Sequence, residues 1–176
     1  MKKETLKRPK NMDSFMKKAL LEAKNAGEEG EVPVGAVIVK NGEIIAVGRN
    51  RRESTQNALG HAEIEAISNA CSALGSWRLD GCSIYVTLEP CPMCAGAIIN
   101  SRISEVVYAA SDLKGGACDS VINLFSCSFS HKPTVWAGIG EKECSETLSE
   151  FFLKLRNARF DSNLNPLTRD MFTKES

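Results

Sequence analysis

Histidine is nearly missing from this sequence, with two copies among 176 residues, at His61 and His131. Neither sign of charge prevails. Twenty-two basic residues balance 22 acidic ones, for a formal net charge of zero. That balance excludes a global field drawing the chain to nucleic acid or membrane, although a local patch would serve for either. No apolar run approaches the ~18 residues that span a bilayer, so no membrane partner is expected. The stretch from Met1 to Phe15 starts basic but lacks the apolar core of a signal peptide. Internal repeats and low-complexity segments are also missing.

What is present is an ordinary globular composition, 43% hydrophobic and 25% charged, most simply one domain. A chain of this length buries a core without disulfides. Seven cysteines, an odd number, with no signal segment before them, predict a cytoplasmic protein whose thiols stay reduced. Such cysteines are core fillers, metal ligands or nucleophiles.

Residues 1–11 are basic and unpatterned, and read as a loose arm. From Asp13, the residues Phe15, Met16, Ala19, Leu20 and Ala23 recur at helical spacing, with Asp13 as the expected cap and Gly27 as the stop. "VPVGAVIVKNGEIIAVGRN" reads as two strands around Asn41-Gly42, a strong hairpin signal. A second helix is predicted from His61 to Leu74, with Ile64, Ile67, Ala70, Cys71 and Leu74 on its apolar face. "CSIYVTL" is a buried strand and "PCPMCAGAIINS" a third helix. "SEVVYAA" and the weaker "PTVWAGI" are further strands, and "KECSETLSEFFLKLRNAR" is the last helix. The polar stretch 160–176 reads as a tail. Strands separated by helices of this length predict an α/β fold, a mixed sheet covered on both faces.

"TLEPCPMCAG" raises the question of chemistry, since Cys91 and Cys94 form a CxxC pair. A redox reading needs an exposed Cys91 at a helix start, but gives no reason for the acidic and proline residues around it. "GHAEIEAI" offers another solution. Alone, His61 reads as a helix-start residue and Glu63 as a first-turn carboxylate favoured by the helix dipole. Together with Pro90-Cys91-Pro92-Met93-Cys94, they complete the HxE…PCxxC signature of zinc-dependent base deaminases. One imidazole and two thiolates suit Zn²⁺. Cys71, Cys82, Cys118, Cys127 and Cys144 have no partner at ligand spacing and read as core or loop residues, Cys118 being the least determined. Three ligands leave a fourth position for water or hydroxide, the catalytic arrangement. Residues i and i+2 of a regular helix point to different sides. His61 must therefore lie at an unwound helix entrance, which Gly60 eases, leaving Glu63 free to move protons.

At this point "GHAEIEAI", "GSWRLDGCSIYVTLEPCPMCAGAIINSRI" and "EFFLKLR" together resemble the bacterial tRNA adenosine deaminases, over about residues 12–159. The resemblance implies a cytidine-deaminase-like α/β/α fold with a five-stranded sheet, usually a homodimer, converting the wobble adenosine of a tRNA anticodon to inosine. Position by position it implies His61, Cys91 and Cys94 as zinc ligands and Glu63 as the proton shuttle. It places Asn50 on the target nucleoside and Val34 in the wall of the base pocket. The backbone of Ala62, and of Cys91 after Pro90, would meet the base and its leaving group. Asp112, His131 and Phe151-Phe152 would meet flanking RNA of the anticodon stem-loop. Without it, Asn50 reads as a polar strand end, Val34 as core and Phe151-Phe152 as helix packing.

Several positions depart from the family pattern: Asp119 where glycine is usual, Ser130 and Lys132 where asparagine and arginine are common, and Leu59-Gly60 before His61 where Thr-Ala is frequent. Basic residues flank the proposed contacts, with Arg49, Arg51 and Arg52 beside Asn50 and Lys154, Arg156 and Arg159 beside the phenylalanines, a rim suited to splayed single-stranded RNA. Two rival readings remain at this level. A free-base deaminase of the same fold, acting on guanine or cytosine, shares "EPCPMC", and a non-catalytic zinc module would need a fourth protein ligand. The small residues of "CAGAIINS" are compatible with a symmetric helix contact.

Overall fold

A computed structural model of the chain describes residues 11–164, with side chains through residue 158. The expected arm and tail thus lie mostly outside the described residues, as does the side chain of Arg159. The hairpin forms as its sequence demands. Asn41 and Gly42 both take positive φ, 53° and 81°, the conformation of a two-residue I′ turn. They join β1 (Gly35–Lys40) to β2 (Glu43–Arg49), with Lys40 opposite Glu43. Strand β3 (Cys82–Leu88) pairs antiparallel with β1 and parallel with β4 (Glu105–Ala110), and β4 pairs parallel with the short β5 (Thr134–Trp136). The result is a mixed five-stranded sheet in the order β2-β1-β3-β4-β5.

Alternation along the strands builds two cores. Ile38, Ile84, Val86, Val106 and Tyr108 face one side, against α2 (Ala62–Leu74) and α3 (Pro92–Asn100). Val37, Val39, Tyr85, Val107 and Ala109 face the other, against α1 (Met12–Glu28) and α4 (Glu141–Leu164). The architecture is therefore α/β/α, as the pattern predicted.

Two glycines set how closely the layers approach. A Cβ on Gly35 would lie 2.2 Å from the Ala19 carbonyl oxygen of α1. On the opposite face, a Cβ on Gly48 would lie 2.3 Å from the Ala62 oxygen and 2.4 Å from the Ala66 nitrogen of α2. Each helix rests directly on strand backbone, so the residues at the points of contact, Ala19 and Ala23 on α1 and Ala62 and Ala66 on α2, are small.

This explains a correction to the predicted face of α2. Its buried residues are Ala62, Glu63, Ala66 and Ala70, whereas Ile67, Cys71 and Leu74 pack at the rim and Ile64 is only half-buried. Helix α1 corrects two further expectations. It begins one residue before Asp13, from Asn11 in the left-handed region with no side-chain cap, so Asp13 sits in the first turn. Asparagine tolerates that conformation. Gly27 lies inside the helix, which ends at Glu28, with Glu29 as its C-cap before Gly30 at φ 84°. Helix α4 continues to Leu164, five residues past the expected boundary at Arg159. No proline interrupts the sequence between Glu141 and Pro166, which disfavours helix at the residue preceding it.

Because both glycines meet helix backbone, the neighbours have little room to yield. Gly48→Ala is expected to destabilise the protein by about 1–3 kcal/mol or more, read from denaturant unfolding. Gly42→Ala, strained only through its positive φ, is expected to cost about 1 kcal/mol.

Candidate active site

Two helix entrances meet at the site. His61 is the N-cap of α2, in extended conformation at φ −87° and ψ 147°, so it stands outside the helical spiral as the spacing required. Gly60 serves this entrance by close approach: a Cβ there would lie 3.1 Å from the backbone of Arg51 and Arg52. Its φ is not positive, so conformational freedom is not its contribution. Cys91 is the N-cap of α3, Pro92 opens its first turn, and Cys94 lies within that turn. Proline at a first helical position loses no hydrogen bond.

His61 Nδ1 lies 3.7 Å from Cys91 Sγ and 3.6 Å from Cys94 Sγ, and the three donor atoms fall within 4.8 Å of one another. A tetrahedral zinc with ~2.3 Å sulfur and ~2.0–2.1 Å nitrogen bonds has N···S edges of about 3.6 Å, so the spacing and the donor set fit that ion. Among the described residues no fourth histidine, cysteine or carboxylate joins the cluster. Cys118 is buried in the core beside α3, which resolves its role as packing.

The cluster's electrostatics are uneven. The hydrogen bond from Cys94, helped by His61, holds the Cys91 thiol down to about 4 against the opposing effect of burial. Cys94 is pushed up by the same shared proton and by burial, and His61 is raised by its bond with Cys91. Glu63, 4% exposed, is pushed up to about 7, chiefly by burial. The positive ends of two helix dipoles converge here and favour thiolate.

A cavity of about 180 Å³ opens above the cluster. It is smaller than the ~300–1,000 Å³ of drug-sized pockets, with room for one heterocyclic base. Val34, Asn50, Ala62, Glu63 and Asp112 line it together with His61 and Cys91. Pro90 is buried just behind, its carbonyl accepting from the Ala117 amide at 2.8 Å. His131 and Phe152 are placed elsewhere. His131 is half-buried with Nε2 2.5 Å from the Ile103 carbonyl oxygen. Phe152 lines a separate groove with Lys114, Leu148 and Arg156, and Phe151 faces another beside Lys24 and Lys154.

Residues 10–175 match the MafB19-like deaminase family. The tRNA-specific adenosine deaminase of Bacillus subtilis (strain 168) is 52% identical over 146 residues, spanning 82% of this chain and 91% of the relative. This chain belongs to the tRNA-specific adenosine deaminase family. The Aquifex aeolicus (strain VF5) member is 49% identical, over 81% of this chain and 95% of its own. A solved structure from work on A-to-I editing by tRNA:A34 deaminases at the wobble position superposes with TM-score 0.74 at 48% identity, covering 76% of this chain and 98% of that one. Guanine deaminase from B. subtilis is more distant, with TM-score 0.55 at 35% identity, over 68% of this chain and 87% of that one.

Within this deaminase fold, the departures Asp119, Ser130 and Lys132 each sit in an intramolecular bond. Asp119 uses its amide, which donates to Glu89 at 2.8 Å, and its φ is not positive, so no glycine is needed there. Ser130 Oγ accepts from Arg102 at 3.0 Å, and Lys132 Nζ donates to the Ser126 carbonyl at 3.3 Å.

Two buried carboxylates beside the cavity escaped the sequence reading. Glu31, 1% exposed, accepts from the amides of Glu53 at 3.1 Å and Ser54 at 2.6 Å. Glu89, 2% exposed, accepts from the loop 112–120. Arg52 and Glu53, on the loop that Glu31 holds, form the cavity's outer lip. No local signal marks these glutamates, because their partners lie far along the chain.

Burial acts to raise the Glu31 carboxyl, but the bonds from Ser54 and Glu53 outweigh it and hold it below the ordinary value. A depressed folded-state pKa stabilises the fold above the unfolded value, near ~4.3, and this is lost as pH falls through the folded value. Glu31→Gln is therefore expected to cost about 1–3 kcal/mol at pH 7 in urea unfolding. The gap to wild type should close below about pH 4.

Proposed function

We propose that this chain is a zinc-dependent hydrolytic deaminase that converts the wobble adenosine of a tRNA anticodon to inosine. One observation carries the reading: three zinc-compatible donors at tetrahedral spacing stand beside a buried carboxylate, beneath a base-sized cavity. His61, Cys91 and Cys94 hold the ion, and Glu63 stays outside the ligand set. When bound, zinc supplies Lewis acidity that makes water nucleophilic at neutral pH.

Val34 and Ala62 bracket the base so that its C6 faces the cluster, and Asn50 orients the nucleoside. The Asn50 side chain is itself held, donating to the Val32 carbonyl at 3.3 Å and accepting from the Arg52 amide at 3.4 Å. As the water oxygen bonds to C6, Glu63 takes one of its protons and delivers it to ring N1. The remaining hydroxyl proton then passes through Glu63 to the exocyclic nitrogen as the C6–N bond breaks and the C6 carbonyl forms, so adenosine plus water gives inosine plus ammonia. Burial acts to raise the Glu63 carboxyl above the ordinary carboxylate range, which suits it to taking and returning a proton.

The catalytic unit is assigned to residues 12–159. Asp112 at the cavity, with His131 and the Phe151-Phe152 pair farther out, is assigned to flanking RNA. A homodimer in the cytoplasm is the proposed form. A Cβ on Gly96 of α3 would meet no atom within 4 Å beyond its own helix, open space that a second copy could occupy, and no helix among the described residues is long and apolar enough to cross a membrane.

The deciding experiment incubates the zinc-loaded protein with an anticodon stem-loop carrying a wobble adenosine, sequenced for inosine, beside a free-guanine ammonia assay. Inosine at the wobble position alone is expected. Ammonia from guanine with an unedited stem-loop would favour the free-base reading. Stem-loop turnover should also fall steeply between about 50 and 200 mM salt, through lost phosphate contacts. Glu63→Ala is expected to keep its zinc, by metal analysis, and to lose about 10²–10⁴ in turnover. Loss of zinc in that variant would make Glu63 a ligand instead.

A further inference from the structure

Glu89 lies two residues before Cys91 yet takes no part in the metal cluster. Its carboxylate is buried, and its partners are five uncharged donors. Oε2 accepts from the Asp112 amide at 3.0 Å and from the Ser120 hydroxyl. Oε1 accepts from the amides of Cys118, Asp119 and Ser120 at 3.0, 2.8 and 3.0 Å. All five belong to one loop, 112–120, whose first residue lines the base cavity. Gly116 lets the loop close: a Cβ there would lie 2.4 Å from the Glu89 carboxyl carbon and 2.6 Å from the Asp112 carbonyl oxygen.

Within the loop, the Asp112 side chain accepts from the amides of Lys114 and Gly115 at 3.0 and 3.1 Å, which leaves its orientation dependent on the loop's course. Closing a loop needs only apolar packing. Burying a charge costs several kcal/mol unless donors surround it, and an ion so surrounded tolerates little displacement of any of them. The carboxylate thus fixes the position of the loop as well as helping to hold it closed.

We propose that Glu89 is a positioning residue for substrate: by gathering the loop 112–120 it sets the cavity lip at Asp112, and it acts on substrate affinity rather than on the chemical step. This rests on the reading of the cavity as the target-nucleoside site.

The test compares zinc-loaded wild type, Glu89→Gln and Ser120→Ala on the wobble-adenosine stem-loop, with zinc per chain, folded fraction and amide hydrogen exchange measured for each. Glutamine keeps the size but turns an NH₂ group toward the donors. Glu89→Gln is expected to raise KM about tenfold, the loss of roughly one charge-assisted hydrogen bond, with kcat within about twofold and zinc retained. Ser120→Ala removes one of the five donors and should raise KM about threefold, and it remains informative should Glu89→Gln fail to fold. The amides of residues 112 and 118–120 should exchange faster in both variants. An unchanged KM, with activity falling only as the folded fraction or zinc content falls, overturns the proposal, as does unchanged exchange in the loop. A wild type that leaves the stem-loop unedited defeats the functional reading instead, and the exchange measurement then still judges the loop.

Discussion

Three donor atoms from distant parts of a chain come within 4.8 Å only when the elements carrying them end at the same point. Here the elements are two helix entrances. The start of α2 is set by backbone contact between Gly48 and Ala62, and the start of α3 by the short passage from the end of β3 at Leu88 to Cys91. Because the donors are cap and first-turn residues, they lie where unsatisfied amides point and where the dipole favours negative sulfur. The base cavity occupies the space these two entrances leave open.

Three buried glutamates around that space show how environment divides one residue type into different tasks. Glu63 is buried with few donors, so desolvation prevails and its carboxyl rises to about 7. Glu31 and Glu89 are as deeply buried, but amide donors converge on them, and both are held below the ordinary carboxylate range despite the opposing effect of burial. The first is suited to exchanging protons. The other two stay ionised, each holding a loop that forms part of the cavity rim.

Much of this was legible from local pattern. Asn41-Gly42 predicted its hairpin because few residue pairs accept two positive φ values in succession. The His61-x-Glu63 and Pro90-Cys91-x-x-Cys94 spacings predicted a ligand cluster because together they match the zinc-deaminase signature, which neither stretch carries alone. Where tertiary contact overrode pattern, the reading slipped. The face of α2 turned toward its alanines because β2 presents bare backbone at Gly48, and α1 ran through Gly27 to end at Glu28. His131 and Phe152, assigned by resemblance to flanking RNA rather than to the base, lie outside the cavity.

By itself, the sequence determined the two helix entrances and the hairpin, since each depends on residues within a few positions of one another, and it named the donor set through two short motifs 30 residues apart. Only the tertiary structure decided which glutamates were buried and what surrounded them. The donors to Glu31 and Glu89 lie 22 to 31 residues away, and desolvation depends on everything packed nearby. A carboxylate's role follows from those long-range neighbours, and no local spacing encodes them.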